Sequence, residues 1–495
     1  MRKILLLILL SLAVNHGFSQ RKLYKRHHIV NKVLSEVVQN KNFRPAGFGF
    51  YAIDTKTGEI IAQYHPDMAL RPASNQKLIT TATALELAGP QYQFETKLEY
   101  TGTIDTVQHI LQGDIIIRGG GDPTLGSKYF DQTKSHAFLE QWLGAIRMLG
   151  IDSVAGAVIA DAGIFSRDIV PVSWSWTNMG TYYGAGACGL SIFDNFFTLH
   201  FQSDSVAGKT VTITKVEPPV PYLIFDNQIT GDTISNDQSN IMGAPYCNVR
   251  YLRGRIPLNK TDYKEKGALP DPAYYAAYVV ENLLNKNGIH CKEPAATLRK
   301  LQLTGKQLGA TTPITTTYSP TLAEIITQTN IHSINLFAEH LLDLCGLKLI
   351  HKAETEADAK AVINYWQSLG MDIQGMTLTD GSGLSQYNSV TARQLVFVLN
   401  YMKHHSAHFD DFYGSLPIAG KEGTLENILK NSPATGNLRA KSGTIDRAKA
   451  YTGFVKSRSG REIAFSMLVN NFSCKSTEAR LQLEKLMTAL AELKK

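Results

Sequence analysis

Residues 71–80 read Arg71-Pro72-Ala73-Ser74-Asn75-Gln76-Lys77-Leu78-Ile79-Thr80. Apolar side chains continue through Ala82, Leu85 and Leu87 up to Gly89-Pro90, so the pattern predicts a helix from this stretch to about Leu87, buried on most sides. On a helix Ser74 and Lys77 share one face, with Cβ atoms roughly 5–6 Å apart. That puts an amine within reach of a hydroxyl. A serine becomes a nucleophile when a neighbouring base accepts its proton, and lysine is such a base once burial or a second cation lowers its pKa. Taken alone, the same residues read as a helix-start serine and a solvated first-turn lysine. The residues that decide between the two readings lie farther along the chain.

The chain opens like an exported protein. Arg2-Lys3 is a short basic region, Ile4 to Val14 is apolar apart from Ser11, and Gly17-Phe18-Ser19 is a small-x-small cleavage site, so residues 1–19 read as a signal peptide. That run is too short for a stable bilayer anchor, and no later stretch reaches about 18 apolar residues. The expected product is a soluble protein of the periplasm or cell envelope, without an integral membrane anchor. The 495 residues are 43% hydrophobic and 19% charged, the balance of a globular protein with room for two or three domains. The net charge of +7 is spread along the chain rather than gathered in a stripe, which argues against nucleic acid as a partner. Cys188, Cys247, Cys291, Cys345 and Cys474 are far apart and odd in number, and their spacing assigns no disulfide.

Taken in order, Ile29–Val38 reads as a helix, and Gly47–Asp54 with Glu59–Tyr64 as two strands joined by the turn Thr55-Lys56-Thr57-Gly58. From about residue 93 short strands and Pro/Gly punctuation take over: Phe94–Tyr100, His109–Ile117, Val154–Ala160, Val211–Val216 and Pro221–Phe225, with helices at His136–Met148 and Tyr274–Asn287. From about residue 312 helices return at Leu322–Thr329, Asn335–Leu344 and Thr355–Leu369. Strands at Gly436–Ser442, Ala450–Val455 and Glu462–Val469 precede an amphipathic helix at Thr477–Leu493, whose apolar stripe reads as core-facing rather than membrane-bound. The fold class is therefore α/β (α+β): an antiparallel sheet covered by helices, split by inserted material near 93–311 that forms two smaller, mainly β lobes.

Two further short signals follow Ser74-x-x-Lys77: Ser333-Ile334-Asn335, then Lys441-Ser442-Gly443-Thr444. Each is weak alone. Ser19 and Lys22 have the first spacing across the cleavage site, Lys56-Thr57-Gly58 has the third pattern in a hairpin turn, and Ser333-Ile334-Asn335 by itself reads as a helix-start cap. In this order the three form the signature of penicillin-binding proteins and class A β-lactamases. Ser74 and Ser333 are 259 positions apart, more than a compact β-lactamase holds. The chain resembles the D-alanyl-D-alanine carboxypeptidase/endopeptidase family of low-molecular-mass penicillin-binding proteins, which carry inserted domains between the first two motifs. Gly113-Asp114-Ile115, Gly119 to Leu125, Asp380-Gly381-Ser382-Gly383-Leu384-Ser385, Leu416 to Gly420 and Gly423-Thr424-Leu425 agree with that family. The resemblance spans essentially the whole mature chain and is weakest in 199–250.

The resemblance implies a transpeptidase-like catalytic domain of residues 20–92 and 312–495, one inserted domain of 93–198 with 251–311, and a second of 199–250. It implies Ser74 as nucleophile, Lys77 as its base, and an oxyanion hole from the backbone N–H groups of Ser74 and Thr444. Ser333 would protonate the leaving D-alanine, Asn335 would hold the substrate amide, and Lys441, Ser442, Gly443 and Thr444 would line the site of the terminal carboxylate. The implied substrates are peptidoglycan stem peptides, with β-lactams as covalent inhibitors and no cofactor or metal. The alternatives are a β-lactamase, for which no acidic residue is assignable to a deacylating water, and a wall-binding module without turnover. Two positions depart from the family: Asn178 stands where an acid is common, and Gln386 where arginine is common. In relatives these line a pocket for the free end of the stem peptide's dibasic residue, so substrate preference is the property expected to differ.

Other features read as structure. Gly119-Gly120-Gly121 is a turn after a strand and lacks the Lys-Ser/Thr of a phosphate loop. His404, His405 and His408 have helical spacing but no third ligand. Trp174 and Trp176 read as packing residues, and Asp380 to Ser385 as an ordered loop at the cleft rim.

Overall fold

The computed structural model describes residues 27–494, so the expected signal peptide lies outside the described residues. Five antiparallel strands form the sheet that carries the site, in the order Arg439–Ile445, Ala448–Lys456, Glu462–Asn470, Gly47–Asp54, Ile60–Tyr64. The chain's two ends thus meet in one sheet, and every strand of 448–470 is buried almost throughout. The first hairpin turns where expected. Asp54 Oδ1 accepts the N–H groups of Lys56 and Thr57, and Gly58 supplies the left-handed residue at φ +70°.

The last strand pair differs from the sequence reading in register. The edge strand begins at Arg439 rather than Gly436 and runs through Ser442 to Ile445. Gly436 is left-handed and belongs to the preceding turn. The shift keeps all of Lys441-Ser442-Gly443-Thr444 inside the edge strand.

One face of the sheet is covered by the helices His28–Gln39 and Ser476–Glu492. Val30, Leu34 and Val37 meet Leu483, Leu486 and Leu490 over Phe48, Phe465 and Met467. The closing amphipathic helix is therefore core-facing, and among the described residues no helix is long and apolar enough to cross a membrane. The opposite face carries the helices Lys77–Ala88, Leu322–His332, Asn335–Ile350, Thr355–Ser368 and Ala392–His405. The last of these has a reciprocal cap, with Thr391 and Gln394 exchanging side-chain and backbone bonds. Residues 95–318 supply four further sheets; the strand Thr311–Tyr318 returns to pair with Glu95–Thr101. The expected strands at 109–117 and 154–160 each break in two. At the first break a Cβ on Gly113 would meet the Thr101 carbonyl at 1.9 Å.

The helix that carries Lys77 is buried on all sides. Nine of its residues, Lys77 to Leu85, have almost no exposure, and its threonines bond inward: Thr81 and Thr83 to carbonyls four residues back, Thr80 to the Gly381 carbonyl at 2.7 Å. Trp366, fully buried, donates its indole N–H to Thr83 Oγ1 at 2.8 Å and locks the helix against its neighbours. Replacing Trp366 by alanine should cost about 3–5 kcal/mol through the cavity left behind. Trp366→Phe should cost about 1 kcal/mol for the lost hydrogen bond, beyond its smaller volume change. Denaturant midpoints of the two variants check the order; equal midpoints for wild type and Trp366→Ala would contradict this packing account.

Candidate active site

Ser74 lies in a single 3₁₀ turn, Ala73–Gln76, that leads into the α-helix Lys77–Ala88. The predicted helix is thus tightened at its first turn. Ala73 is held in a left-handed conformation at φ +47°, a strained state for a residue with a Cβ. Two close approaches hold it there. A Cβ on Gly443 would meet the Pro72 carbonyl at 2.7 Å, and one on Gly383 would meet the Ala73 carbonyl at 1.9 Å. The two glycines let the edge strand and the 380–385 loop clamp the turn from either side. Asn75 fastens it to the sheet by donating to Thr452 Oγ1 at 2.7 Å.

The three motifs converge. Lys77 Nζ lies 3.2 Å from Ser74 Oγ, 2.7 Å from Asn335 Oδ1 and 2.8 Å from the Ser382 carbonyl. Lys441 Nζ donates to Ser333 Oγ at 2.9 Å and to its neighbour's carbonyl, Ser442 O, at 2.8 Å. Ser333 is not a helix-start cap. It closes Leu322–His332 in a left-handed conformation, φ +57°, and the next helix begins at Asn335. That bend turns the Ser333 hydroxyl to Lys441 and the Asn335 amide to Lys77. Asn335 Nδ2 donates in turn to the Tyr183 carbonyl at 2.8 Å, on the short turn Tyr182–Gly184.

Both lysines are completely buried. Burial is the main force on Lys77 and brings its pKa down to about 7, against the opposing charges of Glu339 and Asp380. Lys441 is also held well below its ordinary value, by burial and then by the charge of Lys77. A neutral Lys77 has two N–H groups and one lone pair. Asn335 Oδ1 and the Ser382 carbonyl take the two N–H groups, and the lone pair is left to accept from the Ser74 hydroxyl.

Two residues of this constellation, Glu339 and Lys449, were not singled out from sequence, and one loop takes a different place from that expected. The Asp380–Ser385 loop does not lie at the rim; it runs behind Lys77. Its Asp380 carboxylate accepts from Ser385 N–H at 2.6 Å, Gly383 N–H at 2.8 Å, Asn388 Nδ2 at 2.8 Å and Trp174 Nε1 at 2.9 Å. Trp174 is accordingly a buried packing residue. Glu339, buried one turn beyond Asn335, accepts from the N–H groups of Gly381 and Ser382, each at 2.8 Å. Burial first, and Asp380 second, raise its pKa to about 8. Three polar residues, Glu339, His340 and Asp343, within the mostly apolar run Leu336–Leu344 were the available sequence signal. Lys449, opposite Thr444 in the strand pair, donates to Thr444 Oγ1 and to Ser476 Oγ, both at 3.0 Å.

The two departures lie to the side. Asn178 sits in the helical turn Trp176–Met179, and its carbonyl accepts from Thr181 Oγ1 at 2.8 Å. Gln386 follows the 380–385 loop, and its Oε1 lies 3.4 Å from an Arg71 guanidinium nitrogen. No hydrogen bond joins Asn178 to Gln386. His404 bonds the Thr55 carbonyl at 2.7 Å, and among the described residues no group of three or more His, Cys, Asp or Glu side chains is arranged to hold a metal. All five cysteines are free.

The model of the D-Ala-D-Ala carboxypeptidase 3 (S13) family matches residues 30–493. The D-alanyl-D-alanine carboxypeptidase DacB of Haemophilus influenzae is 25% identical over 447 residues, 87% of either chain. A D-alanyl-D-alanine carboxypeptidase of an Actinomadura species is 26% identical over 455 residues, 89% of this chain and 80% of its own. The crystal structure of penicillin binding protein 4 (dacB) from Haemophilus influenzae has the same fold, with a TM-score of 0.78 at 22% identity over 92% of this chain and 98% of that one.

Glu339 offers a direct check on the electrostatics. Its carboxylate favours the charged form of Lys77, so Glu339→Gln should lower the lysine pKa further. The acid limb of the acylation pH profile should move to lower pH, by a small step because burial keeps Glu339 itself largely protonated near neutrality, with a reduced plateau because one N–H loses its acceptor. An unmoved limb, or one moved upward, would contradict the charge arrangement.

Proposed function

The chain belongs to the D-Ala-D-Ala carboxypeptidase 3 (S13) family of serine-type peptidases, and we propose that Ser74 is its nucleophile and neutral Lys77 the base that activates it. The observation that carries this reading is the saturation of Lys77: both N–H groups have acceptors, and the lone pair faces Ser74 Oγ at 3.2 Å. Ser74 Oγ attacks the carbonyl of the penultimate D-alanine and gives its proton to Lys77. The oxyanion forms between the N–H groups of Ser74 and Thr444, each such donor being worth about 3–4 kcal/mol of barrier. The C–N bond breaks as the proton taken up by Lys77 passes through Ser333 to the leaving D-alanine, which returns Lys77 to its neutral form, while Lys441 holds the Ser333 hydroxyl at 2.9 Å. Water then hydrolyses the acyl-Ser74 ester, with Lys77 again the base.

Asn335 orients the substrate amide. Lys441 and Thr444, with Ser442 and Gly443 on the same edge strand, receive the terminal carboxylate. The bond from Lys449 occupies a lone pair of Thr444 Oγ1 and leaves the hydroxyl proton for that carboxylate. Asn178 and Gln386 line the pocket for the third side chain of the stem peptide, where Arg71 beside Gln386 supplies a guanidinium. The same acylation consumes a β-lactam ring, and cleavage of D,D cross-links is the endopeptidase counterpart of terminal D-alanine release. The protein acts on peptidoglycan stem peptides after export to the periplasm or cell envelope.

The test uses fluorescent penicillin and a D-Ala-D-Ala peptide with wild type and Ser74→Ala. Wild type should be labelled, release D-alanine and hold its label for many turnovers, while Ser74→Ala should do neither reaction. Unchanged labelling of Ser74→Ala refutes the nucleophile. Labelling of wild type without D-alanine release indicates a non-turnover binding module, and rapid loss of label indicates a β-lactamase.

A further inference from the structure

Beside Ser333 and Asn335 the surface gathers two lysines over a group of rings. Lys128 follows the loop after Ile115–Arg118, and Lys266 comes from the strand Tyr263–Ala268. Both ammonium groups stand over the Phe196 ring, 4.8 Å from its centroid for Lys128 and 5.4 Å for Lys266. Lys128 also lies 4.9 Å from the Tyr129 ring, and Lys266 5.5 Å from that of Tyr182. The same rings connect the lysines to the candidate catalytic residues. Tyr129 packs on His332, 5.4 Å between centroids, and His332 directly precedes Ser333. Tyr182 packs on Tyr183 at 5.4 Å, and the Tyr183 carbonyl accepts from Asn335 Nδ2.

Neither charge is paired directly with a carboxylate, although Asp194 attracts both and Glu265 attracts Lys266. Several lysines of the inserted region pair with acids: Lys97 with Glu95, Lys134 with Asp131, Lys209 with Asp204, Lys215 with Glu217 and Lys264 with Asp262. Among the described residues neither Lys128 nor Lys266 is in a salt bridge, and the nearby acids are engaged. Asp194 is buried and accepts from Ser127 Oγ at 2.5 Å and from the Lys128 backbone N–H at 3.4 Å. Glu265 stands against Asp237. The mutual repulsion is felt: burial and then Lys266 depress the pKa of Lys128, and burial and then Lys128 depress that of His332. Two like charges beside one ring, with no carboxylate paired directly to either, favour an incoming anion.

We propose that Lys128 and Lys266 form an anion subsite, flanking Ser333 and Asn335, for a carboxylate that the peptide substrate carries upstream of its scissile D-Ala–D-Ala bond. The inference rests on the D,D-peptidase reading above. Lys441 and Thr444 already receive the terminal carboxylate, so a second anion bound here comes from another part of the peptide. The subsite adjoins Asn335, the residue that orients the acyl-side amide, which puts that part upstream. Ammonium groups on flexible stems suit a mobile side-chain carboxylate better than a fixed guanidinium fork would. The rings of Tyr129, Tyr182 and Phe196 hold the two ammonium groups by cation–π contact.

The test uses short peptides ending in D-Ala-D-Ala that carry glutamate or glutamine at each upstream position in turn, read as kcat/KM for D-alanine release. For wild type, the glutamate peptide should be favoured about tenfold at one position, mainly through KM, with the preference shrinking as salt is raised. The preference should fall to within about twofold in the double variant Lys128→Gln/Lys266→Gln and turn toward glutamine in Lys266→Glu. Labelling of each variant by fluorescent penicillin shows that it is folded. Equal use of both peptides at every position by wild type, or a preference that survives the double substitution, overturns the subsite alone. No D-alanine release from any peptide by wild type overturns the peptidase reading, and the subsite with it.

Discussion

The structure turns on a lysine amine that is removed from water without a carboxylate bonded to it. Lys77 is fully buried, yet the groups within hydrogen-bond distance of its Nζ are neutral: a serine hydroxyl, an amide oxygen and a backbone carbonyl. The acids that act on it, Glu339 and Asp380, make no direct bond to it and are engaged by N–H groups of the 380–385 loop. An ammonium directly paired with a carboxylate would keep its proton at neutral pH and could not serve as a base. Separating the acids from the amine by one layer of backbone keeps enough field to position the lysine and too little to hold it charged.

The rest of the fold serves that separation. The strained Ala73, the clamp of Gly383 and Gly443, and the Asn75–Thr452 bond fix Ser74 against the edge strand. The left-handed turn at Ser333 brings two helices to opposite sides of the cleft, with Lys441 reaching the hydroxyl from the sheet. Each motif therefore comes from a different layer: a helix start, a helix–helix bend and a strand edge. Their convergence depends on the packing of the buried helix Lys77–Ala88, which touches all three.

Much of this was legible in the sequence because it is local and periodic. The apolar strands at 47–54 and 462–470, the helix of Ser476–Glu492 and the three spaced motifs carry their own signals, and the structure bonds Lys77 to Ser74 and Asn335, and Lys441 to Ser333. The helix Ala392–His405 carried a signal that went unread, the Thr391-x-x-Gln394 cap. What could not be read were partnerships across long intervals. Glu339 with the Gly381 and Ser382 N–H groups, Trp174 with Asp380, and Lys449 with Ser476 join residues that no period or spacing links. The edge strand was misplaced by three residues at its start because Gly436 fits either a strand or a turn, and its left-handed φ is set by the fold.

The most direct measurement is a titration of Lys77 itself, by NMR of protein labelled with carbon-13 at the lysine Cε positions, with Lys77→Arg to assign the resonance. The account predicts that the lysine signal lost in Lys77→Arg titrates near neutral pH, in keeping with a pKa of about 7. A Lys77 signal that stays protonated to the ordinary lysine range, about 10.4, would contradict it, because an amine that holds its proton there cannot accept one from Ser74.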